Sequence, residues 1–335
     1  MKLSAHRAGL PANVNMITGS VLTPLRESVS ALPAPAYRQE GGASSRLARE
    51  KIGSRASRLG ALREASVSEK EDRIMDQKHI IREIVQFVRG YAEKVPIVTK
   101  WKKPLVGFAS ADDPLFPKLK EVVRSSHALP RELLPSARTV IAFFIPFENA
   151  LQKENDQAGF YPARSWAVAY VETNRLISEL GEHLKSLLEA GGSRAVFPPP
   201  THNYDPAVLM SDWSHRHIAF IAGLGRFGLN RWLITEKGCC GRFGSLVTEA
   251  AFSPTPRPGQ EFCLHFGGAA ECSVCVDHCI YDALFIDRFD RHACNRHLLK
   301  NEGYFSNLET SDVCGKCGCG LPCSTRNPMA KQSRT

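Results

Sequence analysis

Apolar residues recur at helical spacing directly after Asp76. Ile80, Ile81, Ile84, Val85 and Val88 fall on one face, and Asp76 is placed to cap the helix start. Two apolar runs of strand length follow. Residues 105–109 form the shorter one, and Thr139–Pro146 is a continuous run closed by proline. Leu176, Ile177, Leu180, Leu184, Leu187 and Leu188 return to helical spacing and stop at Gly191-Gly192. Residues 194–197 read as the next strand, 214–222 as a helix, and 232–235 and 245–248 as strands. Helices alternating with short apolar strands predict an α/β layer domain over 75–255. The proline-rich stretch 253–259 marks its end, and Gly, Cys and short helical pieces dominate after it.

The first 74 residues carry no sustained periodicity and hold 12 Lys and Arg against 7 Asp and Glu. Three readings stand for them: a disordered basic arm, a targeting segment, or an over-extended start with translation beginning at Met75. The third is favoured, because the ordered pattern begins there. The chain as a whole has 335 residues, 43 % of them hydrophobic, enough for a real core and two ordinary domains. No stretch reaches the ~18–20 uninterrupted apolar residues of a membrane span, so no membrane partner and a cytoplasmic location are expected. The net charge of +9 fits an anionic partner, or scattered surface Lys and Arg that keep the chain soluble.

All 11 cysteines lie from position 239 onward. Their odd number and C-x-x-C spacings argue for metal binding and against a disulfide framework. One group is Cys272-x2-Cys275-x3-Cys279 with Cys263 upstream; the other is Cys314-x2-Cys317-x5-Cys323 with Cys294 upstream. The first spacing matches the last three members of a bacterial ferredoxin run, whose fourth Cys ligates the other cluster. Ala269 stands where the first member would be, and Cys263 replaces it if the loop folds back. Thiolates at such spacings wrap [4Fe–4S] clusters, four to each. Cross-ligation then groups Cys263, Cys272, Cys275 and Cys323, and separately Cys279, Cys294, Cys314 and Cys317. The alternative is structural zinc held by Cys272, Cys275, Cys314 and Cys317, which leaves the other four unexplained. Cys239, Cys240 and Cys319 are surplus, and Cys319 sits too close to Cys317 to share a cluster with it. The fold expected is thus an α/β domain followed by a ferredoxin-like α+β domain with two [4Fe–4S] clusters over 256–325, and a tail at 326–335.

Gly223-Leu224-Gly225-Arg226-Phe227-Gly228 fits G-x-G-x-x-G, but a helix precedes it and a strand follows, the reverse of a dinucleotide site. These glycines instead let backbone approach a flat ligand or another chain closely. Just upstream, His215-Arg216-His217 after Ser214 reads either as a proton source or anion contact, or as a capped helix start with solvated side chains. His202 and Tyr204 are further acid candidates; no catalytic residue is assigned.

The glycine loop through Asn230, then Leu233-Ile234-Thr235, then residues 244–248 and the two cysteine groups resemble the epoxyqueuosine reductase family over roughly 160–325. That family is similar to reductive dehalogenases and pairs two [4Fe–4S] clusters with a cobalamin. The endings Cys239-Cys240 and Cys314 to Cys323 resemble a shorter branch. The resemblance implies an iron–sulfur oxidoreductase that takes electrons from an external low-potential donor. They pass through both clusters to a site at the domain junction, with a corrinoid lined by Gly223, Gly225, Phe227, Gly228 and Leu229. The substrate is a small molecule or borne on tRNA. The alternative is a dedicated electron-transfer or corrinoid-activating protein with no substrate of its own. The tRNA-modifying members carry an Asp as proposed proton donor; here Tyr170 falls at that position, in the segment from Arg164 to Glu172.

Overall fold

The computed structural model describes residues 75–199 and 202–330. The three readings of the first 74 residues lie outside the described residues, as does the end of the tail. In chain order the elements are α1 (Gln77–Lys94), β1 (Leu105–Ser110), α2 (Leu115–Val122), α3 (Pro130–Leu133), β2 (Thr139–Pro146), α4 (Asn149–Gln157) and α5 (Arg164–Ala190). Then come β3 (Ala195–Val196), α6 (His215–Ile221), β4 (Gly225–Phe227), β5 (Leu233–Thr235) and β6 (Gly241–Thr248). The cysteine-rich end holds α7 (Leu264–Gly267), α8 (Val274–Asp277), α9 (Arg291–Tyr304) and a 3-10 turn, Lys316–Gly318.

The main sheet has the order β1-β2-β6-β3, and every pairing in it is antiparallel. Helices and sheet are layered as expected for mixed α and β structure, yet without parallel crossovers. β2 explains its own unbroken apolar run, because both of its faces are covered. Val140, Ala142 and Phe144 pack with α2 and α6, while Ile141, Phe143 and Ile145 pack with α1 and α5. α1 begins at Asp76, whose side chain accepts from His79 N–H at 2.7 Å. It buries Ile80, Ile84, Val88 and Tyr91, each such side chain contributing roughly 1.5–3 kcal/mol by leaving water.

α5 runs twelve residues further toward its N-terminus than the leucine pattern suggests. Its C-terminal half (Leu176, Ile177, Leu180, Leu184, Leu188) closes the sheet face. Its N-terminal half (Trp166, Ala167, Ala169, Tyr170) joins a separate core with Phe262, Val313 and most of the cysteines. One helix therefore ties the sheet layer to the cysteine-rich segment. The proline-rich stretch lies along β1: Thr255 N–H donates to the Phe108 carbonyl at 2.8 Å and its hydroxyl accepts from Phe108 N–H at 3.0 Å.

Candidate metal centres

The cysteine-rich segment has little regular structure to hold it, so polar side chains pin its loops. Asn155, fully buried on α4, donates to the Cys314 carbonyl at 2.9 Å and accepts from Ala163 N–H at 2.9 Å. Lys316 reaches back to the carbonyls of Asn155 and Ala158. Gly315 has φ +77°, and a Cβ there would stand 2.5 Å from the Trp166 ring, so only glycine lets this loop lie against α5. Asp290 caps α9, accepting from Ala293 N–H at 2.8 Å, and so places Cys294 in the helix's first turn.

Two cavities result. Cys263, Cys272, Cys275 and Cys323 line one, together with Leu229 and Ile234 from the β4–β5 hairpin. Cys279, Cys294, Cys314 and Cys317 line the other, with Trp232, Leu284 and Phe289. Asn230 lines both. It donates to the Cys317 carbonyl at 3.1 Å and accepts from Trp232 N–H at 3.1 Å, which fixes it as part of the wall between them. The zinc alternative draws two ligands from each cavity. Among the described residues no three His, Cys, Asp or Glu side chains converge on a point that would hold one metal ion.

Burial pushes the Cys275 thiol up to about 12, with Cys263 and Cys272 beside it adding to the effect. Burial takes Cys314 up to about 12, with Cys279 and Cys319 adding to it and Lys316 pulling the other way. Burial and neighbouring thiols raise Cys317 well above the ordinary range. Such thiols become ligands only by losing their protons to solvent as a cation takes the thiolate. Donor chemistry, count and enclosure at each cavity thus fit a thiolate-held cluster.

The surplus cysteines line neither cavity and are all buried. Cys240 Sγ donates to the Gly318 carbonyl at 3.0 Å, and Cys319 Sγ accepts from Asn155 Nδ2 at 3.3 Å. Cys239 is held well below its ordinary range by hydrogen bonds from the Cys240 and Cys323 thiols, so a surplus thiol abuts the first cavity.

The glycine motif forms β4 and the turn after it. A Cβ at Gly225 would meet the Ile234 carbonyl oxygen at 2.0 Å, one at Gly223 the Pro256 carbonyl oxygen at 2.8 Å, and one at Gly228 Asn230 Oδ1 at 2.7 Å. Close approach is needed here, but by the chain itself. Phe227 is buried against His217 and Phe220. Of the five residues implied for a corrinoid, Leu229 alone lines either cysteine cavity.

His215, Arg216 and His217 are buried, which corrects the reading of a solvated helix start. α6 packs under the sheet, so even its polar first turn is enclosed. His217 Nδ1 bonds Ser214 Oγ at 2.8 Å, His215 Nδ1 bonds Ser245 Oγ at 2.8 Å, and Arg216 donates to the Arg231 carbonyl at 3.0 Å. Burial drops His215 to about 3, with Arg242 pushing the same way. His202 and Tyr204 are half-buried in the loop before this turn, where the His202 carbonyl accepts from Asp212 N–H at 2.9 Å and His202 is near enough to act on His215.

Two residues carry no motif and were not legible in the sequence. Asp312, two positions before Cys314, accepts from the Tyr170 hydroxyl at 2.8 Å and is 1 % exposed. Burial raises its carboxyl to about 7, against the pull of the Tyr170 bond. Arg242, at the start of β6, lies 4.2 Å over the Tyr170 ring.

Tyr170, Asp312 and Arg242 bring α5, β6 and the second cysteine loop together at one point. No family model matches the chain, and no curated protein sequence does. Its structural neighbours are epoxyqueuosine reductases and reductive dehalogenases. It is similar to epoxyqueuosine reductase from Bacillus subtilis with a TM-score of 0.43 and 19 % identity, over 73 % of this chain and 66 % of that one. For epoxyqueuosine reductase from Streptococcus thermophilus the values are 0.44 and 17 %, over 72 % and 67 %. For a B12-dependent reductive dehalogenase they are 0.44 and 15 %, over 67 % of this chain and 30 % of that one. The chain thus spans just under two thirds of the first and under a third of the last.

Proposed function

We propose that this protein is an iron–sulfur reductase of the epoxyqueuosine reductase type, with two [4Fe–4S] clusters in a ferredoxin-like segment over 256–325. The observation that carries the reading is the division of eight cysteines, four and four, between two cavities that share Asn230 as a wall. Cys263, Cys272, Cys275 and Cys323 hold one cluster, and Cys279, Cys294, Cys314 and Cys317 the other. When bound, such clusters supply single electrons at potentials tuned by burial and by hydrogen bonds to sulfur.

The chain's own residues do the rest. Leu229, Ile234 and Trp232 keep water from the cavities, and Asn155 and Lys316 hold the Cys314 loop in place. The junction of α5, β6 and the second cysteine loop is the substrate end. There the Tyr170 hydroxyl keeps a proton 2.8 Å from Asp312 Oδ1, away from bulk water. A corrinoid finds no open face on Gly223, Gly225 or Gly228, whose Cβ directions run into protein.

Anaerobic purification with iron, sulfide, zinc and cobalt analysis on one sample tests the reading. About eight iron and eight sulfide per chain are expected. Stoichiometric zinc without sulfide overturns it.

A tRNA-borne substrate is favoured by one further feature. Arg89, Lys100, Lys102 and Lys103 line a groove of about 970 Å³, and Lys237 donates to the Lys103 carbonyl at 2.7 Å. Binding of a tRNA stem-loop there would weaken steeply with salt; salt-independent binding, or none, removes this reading.

A further inference from the structure

Arg242 is 5 % exposed, and neither its Nε nor its Nη2 has a hydrogen-bond partner among the described residues. Those two atoms form one edge of the guanidinium, the edge whose parallel N–H bonds grip two oxygens of a carboxylate or phosphate. The chain uses this edge twice on its surface. Arg131 Nε and Nη2 hold Asp112 Oδ1 and Oδ2 at 2.7 Å each. Arg194 Nε and Nη2 hold Glu249 Oε1 at 2.9 and 2.7 Å. At Arg242 the same edge is buried and takes no side chain. Asp312 acts on it through space, but its Oδ1 is engaged by Tyr170 and it does not bond the guanidinium.

The surroundings favour an anion. His215 is fully buried, with Nδ1 on Ser245 and no partner in hydrogen-bonding geometry at Nε2, although the Pro199 carbonyl lies on its side. It feels the charge of Arg242. Arg216, another buried guanidinium, is within reach of the same field. The site is enclosed, residues 242–248 of β6 all being buried. β3 pairs with only Val247 and Thr248, so residues 242–246 of β6 have no strand beyond them on that side. The Tyr170 ring floors the place at 4.2 Å from the guanidinium.

We infer that the Nε–Nη2 edge of Arg242, with His215 beside it, binds the oxyanion of a small ligand, a carboxylate or a phosphate, against the Tyr170 ring. The planar fork matches a carboxylate best; phosphate shares the chemistry. The inference deepens the reductase reading, on which it rests only for calling that ligand the substrate. Arg242 is then a specificity-determining residue that places an anionic substrate beside the Tyr170 hydroxyl.

The test uses the full-length protein, purified anaerobically and titrated by calorimetry at constant ionic strength in chloride. Acetate, inorganic phosphate and neutral acetamide are the probes. Saturable one-to-one binding of acetate or phosphate, and none of acetamide, is expected; which anion binds tells the two sources apart. Arg242→Lys keeps the charge but loses the fork, and should weaken binding roughly tenfold or more. His215→Gln, which leaves β6 untouched, should weaken it severalfold, and it decides the matter if Arg242→Lys does not fold. No saturable binding by the wild type, or equal affinity in the folded variants, overturns the inference. Iron and sulfide content, measured on the same samples, judges the reductase reading separately.

Discussion

The β5–β6 turn carries a direct test of how the first cavity is held. Gly238 has φ +79°, and a Cβ there would lie 2.4 Å from Ser324 O, 2.4 Å from Thr325 N and 2.5 Å from Arg326 N. All three are backbone atoms and none can rotate away. Gly238→Ala must therefore push the segment after Cys323 outward by about 1 Å to reach an ordinary carbon contact. That movement strips Cys239 N–H from the Cys323 carbonyl (3.0 Å) and Cys240 N–H from the Ser324 carbonyl (3.0 Å). Two lost hydrogen bonds cost about 1–3 kcal/mol, and a left-handed alanine adds about 1–2 kcal/mol. The expected loss is about 2–5 kcal/mol, together with displacement of Cys323 and loss of roughly half the iron. Gly259→Ala is the control, because nothing lies within 4 Å of its Cβ position; it should stay within about 0.5 kcal/mol of wild type. Anaerobic chemical denaturation and iron analysis read both variants. A Gly238→Ala protein with wild-type iron and a stability change below about 0.5 kcal/mol would refute the reasoning.

Other expectations follow from the same geometry. Cys319→Ser should keep its full iron, since Cys319 bonds Asn155 and lines neither cavity; Cys323→Ser and Cys279→Ser should each lose one cluster by low-temperature EPR, and the reverse pattern would sink the ligand assignment. Burial holds His127 down to about 4, with Nε2 accepting from Ser214 N–H at 3.1 Å. The folded protein keeps this ring neutral while the unfolded chain takes up a proton near pH 6.5. Stability is therefore full above that pH and falls between pH 6.5 and about 4, by at most about 3 kcal/mol from this group. A urea midpoint equal at pH 7.5 and pH 5 would contradict that. Lys316→Met removes the donor to the Asn155 and Ala158 carbonyls and should loosen the second cavity: iron loss to a chelator should be faster than in the wild type, with the first cluster's signal unchanged, and an equal rate would contradict this.

What was legible from the chain alone was local. α1, its Asp76 cap and β2 follow from periodicity and capping chemistry, which depend on residues a few positions apart. The eight clustered cysteines stood out for the same reason, since a loop that wraps a metal needs its thiols close in sequence. The start of α5 was hidden because its first turns bury Trp166, Ala169 and Tyr170 in a different core from the leucines that follow, so no single stripe runs through it. The antiparallel order of the sheet was hidden too, since an apolar run tells that a strand is covered but not which way its neighbours point. Only the tertiary structure enclosed His215-Arg216-His217, and it did so by laying α6 under β6. It also set Tyr170, Arg242 and Asp312 together from positions 70 or more residues apart. Each is an ordinary polar residue in its own stretch of chain. Their chemistry arises from shared burial, which removes water as a competitor, and burial is a property of the packed molecule.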